Sequence, residues 1–476
     1  MRRRPRTNKT AMRVELSIVA ALALAGCSFA PKLELPEVPV ADTYKEPAPW
    51  TQAAPADRLP RDGWWQPYGD QELNRLQALL VQNSPDLQAA LARYQQAKAY
   101  ADQLRSGLFP SLALRADGVR ARQSETSPPA GRSSPRYYNS YGVGVEATYE
   151  VDLWGRVRND VSAGRLQASA AAADLESARL SLQAQLADYY IAIYGLDREA
   201  ALLADTVIAF DRAVALTKER HEAGIVSGLD VARAQTQLDS ARSQVSQNQA
   251  RRATLEHAIA VLVGESPSRF ALVPRSVPLQ LPQIPADVPT NLLQRRPDIA
   301  AAQRRTAAAN ASVGVARAAW FPSIRLSGAY GFDSNRTADW LTAPNAAWSV
   351  GPTILLELFD AGRRRARVEQ ARAVLDEAGA NYRGVVLGAF QEVEDNLALL
   401  YHYGNAAESE RSAVTSAQQS LDFAMNRYRE GAVSYLEVVQ SQTTALDAQR
   451  NALDLETRQL RASVALIRAL GGGWEG

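Results

Sequence analysis

Two stretches of this chain, 155–222 and 362–430, are too long to be ordinary globular helices, which average three to four turns. No proline falls within 136–266, and none follows Pro352. Both blocks are rich in Ala, Leu, Gln, Arg and Glu, which form helices well. The pattern predicts one helix from Gly155 to about Glu222, ended by Ala223-Gly224-Ile225-Val226-Ser227-Gly228-Leu229-Asp230. A second runs from Gly362 to Glu430, ended by Gly431-Ala432-Val433-Ser434-Tyr435-Leu436-Glu437. At 1.5 Å per residue each would measure roughly 100 Å. A helix of about half that length follows each Gly turn, and another opens each half of the chain. Two half-length helices stacked end to end would match one long one. Modest, Ala-rich apolar content suits helices packed side by side in a wall. A plain antiparallel coiled coil is the alternative that periodicity alone allows.

The same order of motifs occurs twice. Arg296-Pro297-Asp298-Ile299 repeats Ser84-Pro85-Asp86-Leu87, and Trp320-Phe321-Pro322-Ser323-Ile324 repeats Leu108-Phe109-Pro110-Ser111-Leu112, both offset by 212. Glu357-Leu358-Phe359-Asp360-Ala361-Gly362-Arg363 repeats Glu150-Val151-Asp152-Leu153-Trp154-Gly155-Arg156, offset by 207, and the Gly turns keep that offset. The chain therefore reads as a tandem duplication of helix, hairpin, long helix, turn and helix. The first repeat covers 69–264, a Pro-rich linker 265–290, the second repeat 291–472, and a short tail 473–476.

Between the opening helix and the long helix the period changes from 3.6 to 2. From Tyr141 to Asp152, Tyr141, Val143, Val145, Ala147, Tyr149 and Val151 share one face; Gly142, Gly144, Glu146, Thr148, Glu150 and Asp152 share the other. A sandwich strand would also alternate, but the length and Tyr-rich ends suit a transmembrane β-strand. Leu112 to Arg120 alternates more weakly, with a Ser, Pro, Gly and Arg loop at 123–136 between the two. Ile324 to Phe332 and Trp348 to Leu358 give the second pair, around a 333–346 loop.

The N-terminus is a targeting signal. Residues 2–13 carry five Arg and one Lys, and Leu16 to Ala25 is apolar. That run is shorter than the 20 or so residues a spanning helix needs, and reads as a secretory signal. It ends Leu24-Ala25-Gly26-Cys27, which resembles the bacterial lipobox, in which the Cys is lipidated and begins the mature chain. Ordinary signal cleavage beside an incidental Cys is the other reading. Cys27 is the only Cys, so neither a disulfide framework nor a thiolate metal cluster can form within the chain. Without residues 1–26 the formal charge moves from +2 to −3, 47 basic against 50 acidic residues. The basic pI thus belongs to the signal, and no nucleic-acid argument rests on it. Residues 27–68, rich in Pro, Ala and Glu, read as an extended strap from a lipid anchor to the folded body, with Trp64-Trp65 docking its end.

Chemistry is sparse. His221, His257 and His402 lack metal-site spacing, and there is no GxSxG, P-loop or GxGxxG. Acidic pairs on helices are explained by i,i+3 and i,i+4 pairing. Arg363-Arg364-Arg365-Ala366-Arg367 suits pairing with neighbouring acids below the strands. The chain does not read as an enzyme, and no cofactor is expected beyond a covalent lipid on Cys27.

Four spanning strands cannot close a barrel, and an open edge in lipid is not tolerated. If the strands span a membrane, the protein is an oligomer. Three chains would give twelve strands, and cyclic symmetry would close them.

The 294–330 block, the Phe-Asp-Ala-Gly-Arg at 359–363 and the lipobox together resemble the TolC-type outer-membrane factors, in particular the lipoprotein branch serving resistance-nodulation-division efflux pumps. The resemblance covers nearly the whole mature chain. It implies a mainly α fold with β: a homotrimeric twelve-stranded transmembrane β-barrel continuous with a long periplasmic α-helical barrel. It implies an exit duct of a tripartite efflux system, with a periplasmic adaptor, an inner-membrane pump and outer-membrane lipid as partners. Type I protein secretion, metal-ion efflux and a structural coiled-coil lipoprotein are the alternatives. Only three Met weigh against copper or silver.

In the family, Val-Gly-Leu or Val-Gly-Thr at the turns meets the adaptor. Here those positions implicate Gly224 and Ile225, and Gly431 and Ala432. The family closes its aperture with acidic rings and a Tyr–Arg network. Asp230 and Tyr428 match, Glu437 stands for an Asp, Val433 occupies the Arg position and Gln440 that of a second Asp. Asp230 and Glu437 would make the closed mouth cation-preferring. A carboxylate in the first turn of a helix is also favoured by the helix dipole alone.

Overall fold

A computed structural model describes residues 28–39, 44–45, 63–124, 137–275, 278–282, 284 and 295–472. The signal, Cys27, over half of the strap, nearly all of the first hairpin loop, part of the linker and the tail lie outside these. The chain divides into two compact units, and the division cuts across the repeats. One unit takes 94–171 and 301–382 with the strap residues up to Pro36; the other takes 37–93, 172–300 and 383–476. Each unit therefore holds part of both repeats.

The first helices are α1 (Gln71–Asn83) and α2 (Pro85–Ser106). Asp70 caps α1, its Oδ1 accepting from the Glu72 and Leu73 amides at 2.7 and 3.0 Å. Ser84 and Pro85 end one helix and start the next, because Pro needs no donor at the first helical position. Two strands follow, β1 (Ser111–Arg122) and β2 (Tyr137–Glu150), then α3 (Arg156–Glu222) and α4 (Gly228–Leu262). The second half gives α5 (Pro297–Ala318), β3 (Ser323–Ser334), β4 (Ala346–Leu355), α6 (Arg363–Arg429) and α7 (Tyr435–Ala469). α3 and α6 have 67 residues each, and α4 and α7 have 35 each.

The strands differ from expectation at their ends. β2 begins at Tyr137, four residues earlier than the alternation suggests, because Arg122, Ala121 and Arg120 of β1 pair with Tyr137, Tyr138 and Asn139. β4 ends at Leu355 because its partner strand β3 starts at Ser323, opposite Leu355. Leu356 to Leu358 have nothing to pair with in that register.

In the first unit the four strands make one antiparallel sheet in the order β1-β2-β3-β4. The central pairing, β2 with β3, joins the two repeats. Period-2 alternation in register sorts the residues into rows. Leu114, Val145, Tyr330 and Trp348 form one row, and Leu112, Ala147, Gly328 and Val350 another. On the opposite face stand Arg115 with Gly144 and Gly331, and Asp117 with Gly142 and Asp333. Gly331 sits close against the neighbouring strand: a Cβ there would come 2.5 Å from the Val143 carbonyl oxygen. The apolar rows are bare, with Leu114 77% and Trp348 75% exposed. The described strap residues up to Pro36 pack in the same unit. Phe29 stacks on Phe321 at 4.4 Å, and Phe321 on Trp154 at 4.9 Å. Asn310 donates to the Pro31 carbonyl at 2.8 Å.

The second unit holds the main core. Leu73, Leu76 and Leu80 of α1 are fully buried with Leu186 and Ile191 of α3 and Ile467 of α7. Trp64 and Trp65 enter that core edge to face, and so does Tyr68. The Tyr68 hydroxyl lies 2.6 Å from Ser463 Oγ, which itself donates to the Leu460 carbonyl; Tyr68 therefore donates to Ser463. Its burial pushes the phenol well above its ordinary pKa. Between α3 and α7, Asp188 pairs with Arg461 at 2.7 Å and Glu199 with Arg450 at 2.7 Å. The eleven-residue spacing is the same on both helices, so the two run side by side in antiparallel register. Among the described residues no helix is long and apolar enough to cross a membrane.

Candidate functional site: the paired helical turns

Both turns lie in the second unit and close in the same way. α3 ends at Glu222; the Gly224 amide donates to the His221 carbonyl and the Ile225 amide to the Arg220 carbonyl, at 2.9 and 2.8 Å. At the end of α6 the Gly431 amide donates to Tyr428 and the Ala432 amide to Arg427, at 3.0 and 2.9 Å. These are left-handed helix caps, and Gly224 and Gly431 have φ of +73° and +76°. A Cβ at either would meet nothing within 4 Å, so the requirement for Gly is conformational. Ile225 is 69% exposed and Ala432 is exposed. His221 Nδ1 lies 2.9 Å from the Val226 carbonyl and braces the first turn.

A small core joins the two hairpins. Phe210 and Val214 of α3, Ala234 and Leu238 of α4, Tyr428 of α6, and Tyr435 and Val438 of α7 are buried together. Val433, at the position where the family resemblance implies an Arg, packs against this cluster. Tyr428 and Tyr435 meet at 5.3 Å between ring centroids. Burial raises the Tyr435 pKa to about 12, helped by Tyr428 and by the negative charge of Asp230.

The acidic residues have local partners. Asp230 accepts from Ser227 Oγ at 3.2 Å and lies 3.6 Å from Arg233. Glu437 is 2.8 Å from Arg427 Nη1. Each stands in the first turn of its helix, α4 or α7, where the dipole favours it. Each of the two carboxylates thus has an arginine of its own chain beside it. Glu222 and Glu430 are exposed and have no ion-pair partner among the described residues.

The Tyr428 side chain is buried, and its hydroxyl has no hydrogen-bond partner among the described residues. An arginine does reach Tyr428, from the other hairpin. Arg220 donates to the Tyr428 carbonyl at 2.8 Å and to the Arg429 carbonyl at 2.7 Å. Its guanidinium carbon lies 4.7 Å from the Tyr428 ring centroid. Sequence reasoning misses Arg220, Arg427 and Tyr435. The 207 offset relates Arg220 to Arg427 and is the one signal that points to both. No group of His, Cys, Asp or Glu among the described residues could hold a metal ion.

The comparisons agree with this architecture. The chain matches the family described as Outer membrane efflux protein over residues 76–265 and 288–472. It is 34% identical to outer membrane protein OprJ of Pseudomonas aeruginosa, over 96% of this chain and 95% of that one. It is 32% identical to the antibiotic efflux pump outer membrane protein ArpC of Pseudomonas putida, over 96% and 94%. A solved structure of the outer-membrane channel OprN superposes with a TM-score of 0.86 at 31% identity, covering 94% of this chain and 100% of that one. A duplicated helical frame, a sheet with a bare apolar face and family matches in both repeats lead to one conclusion: this chain belongs to the outer membrane efflux protein family and is an outer-membrane efflux channel, not an enzyme.

Proposed function

We propose that three copies of this chain assemble into the exit duct of a tripartite pump, which passes drug-sized molecules outward without doing chemistry on them. The observation that carries this is the four-stranded sheet with unpaired edges at β1 and β4 and a bare apolar face. An open edge is not stable in lipid, and twelve strands from three copies would close it. The paired turns are the gate. The exposed Gly224–Ile225 and Gly431–Ala432 turns are the docking surface for a periplasmic adaptor, which in turn engages an inner-membrane pump. Adaptor binding would splay the hairpins.

The mature chain begins at Cys27, which carries the covalent lipid and belongs with the lipoprotein branch of the family. Seating of Phe29 against Phe321 supports this, because it ties the residues next to Cys27 to the foot of the strands. Drug cargo rests on likeness to ArpC, whose description names antibiotic efflux.

Deletion of the gene in its host tests the cargo. Raised susceptibility to several unrelated drugs, with unchanged protein secretion and metal tolerance, is the expected result. Loss of secretion or of metal tolerance alone would move the duct to one of the rival transport classes. Metabolic labelling with palmitate, comparing wild type with Cys27→Ser, tests the anchor.

A further inference from the structure

The 207 offset makes Arg220 and Arg427 counterparts, yet they bond differently. Arg427 stays within its own hairpin, on Glu437. Arg220 leaves its hairpin and reaches the last turn of α6. The carbonyls there have no helical N–H to accept from, and the helix dipole is negative at that end. A cation that supplies two donors is suited to that position. The Tyr428 carbonyl also accepts from the Gly431 amide, whereas Arg220 is the donor that reaches the Arg429 carbonyl. The backbone of Arg220 is fixed as well, because its carbonyl takes the Ile225 amide in the first turn. One residue thus closes the first turn with its main chain and holds the end of α6 with its side chain.

We propose that Arg220 is the latch between the two helical hairpins of a protomer, a positioning residue that holds the turns together until a partner separates them. The proposal rests on the gating reading above. Separating the hairpins must break two charge-assisted hydrogen bonds and a cation–ring contact together, since all three pass through one guanidinium. A lysine has one ammonium and cannot span both carbonyls in the plane of the ring. Arg427 crosses no boundary between hairpins, so its loss would leave the latch in place.

Single-channel recording in planar bilayers tests this, using the full-length assembled protein as wild type, Arg220→Gln, Arg220→Lys and Arg427→Gln. Gel filtration checks assembly of each. Arg220→Gln should raise open probability at least about tenfold, the factor that losing one hydrogen bond to a charged group would give. Arg220→Lys should fall between it and wild type, and Arg427→Gln should match wild type in open probability. Wild-type behaviour of assembled Arg220→Gln would overturn the latch and leave the gate intact. So would an Arg427→Gln channel as open as Arg220→Gln. Loss of assembly in both Arg220 variants would also overturn it, by showing a role in folding. Full conductance in wild type and every variant would instead reject the turns as a gate.

Discussion

Arg427 Nη1 lies 2.8 Å from Glu437 Oε1, joining the end of α6 to the start of α7 across one helical turn. The pair is partly exposed, so it adds little stability, about 0–1 kcal/mol by analogy with other surface pairs. Its larger effect is on the field at the turn, because it cancels the charge of one acid expected to select ions.

Charge selection should therefore follow the unpaired acids. Reversal potentials under a salt gradient should shift more in Glu222→Gln with Glu430→Gln than in Asp230→Asn with Glu437→Gln. A larger shift in the second double variant would restore the paired carboxylates as the selecting ring.

Tyr435 should titrate late. Burial, Tyr428 and Asp230 raise its pKa to about 12 from an ordinary 10.0. A neutral phenol favoured by folding contributes its full stability below about pH 10, and loses it as pH rises through 12. The absorbance titration at the tyrosinate band, wild type minus Tyr435→Phe, should isolate one group near 12. A missing group that titrates near 10 contradicts the buried environment.

The two turn glycines should tolerate side-chain volume and resist side-chain conformation. Gly224→Ala and Gly431→Ala meet open space, yet the left-handed backbone costs about 1–2 kcal/mol for an L-residue. Hydrogen exchange should quicken at amides 224 and 225, or 431 and 432, with the midpoint of global unfolding nearly unchanged. Protection equal to wild type would mean that the turn had found another conformation.

Arg296 should matter most to folding. It is nearly buried, pairs with Asp298 at 2.7 Å and Glu392 at 2.8 Å, and donates to the Ala469 carbonyl at the end of α7. Arg296→Ala takes the guanidinium from all three acceptors, although Glu392 keeps Arg468 at 3.6 Å and Asp298 keeps the Ile299 amide, and should cost about 3 kcal/mol, at the low end for a broken buried pair because Glu392 is partly exposed. Denaturant unfolding of the detergent-solubilised protein measures it; a change below about 1 kcal/mol would assign the motif another role.

The two faces of the sheet should respond oppositely to charge. Val350→Arg, on the bare apolar face, should cost about 2–4 kcal/mol in a membrane and reduce assembled protein in the outer-membrane fraction. Ala329→Arg lies in the row of Glu146 and Ser349 and should assemble. Equal loss in both would argue against a lipid-facing row.

Much of this architecture is legible in the amino-acid sequence. Helix ends follow from Gly224, Gly431 and Pro85, because left-handed caps and proline's missing donor are local constraints. The faces of the strands follow from alternation. Strand ends do not: β2 extends back to Tyr137 by its pairing with Arg122, a contact between segments that alternation in one segment cannot register. The acids at the turns are legible as residue types at helix starts, and Asp230 with Arg233 as an i,i+3 pair, while the pairing of Glu437 with Arg427 across the turn is not.

The sequence alone determined the long helices, the Gly turns and the two-faced strands, since each depends on residues close together in the chain, and the duplication, since it is a match between two stretches of sequence. Tertiary structure decided how the turns are tied. Arg220 and Tyr428 are 208 residues apart, and only the packing of α3 beside α6 brings a guanidinium to the carbonyls that end the second helix. Two arginines equivalent by repeat thereby take different partners, because the folded chain places a helix end beside one and a carboxylate beside the other.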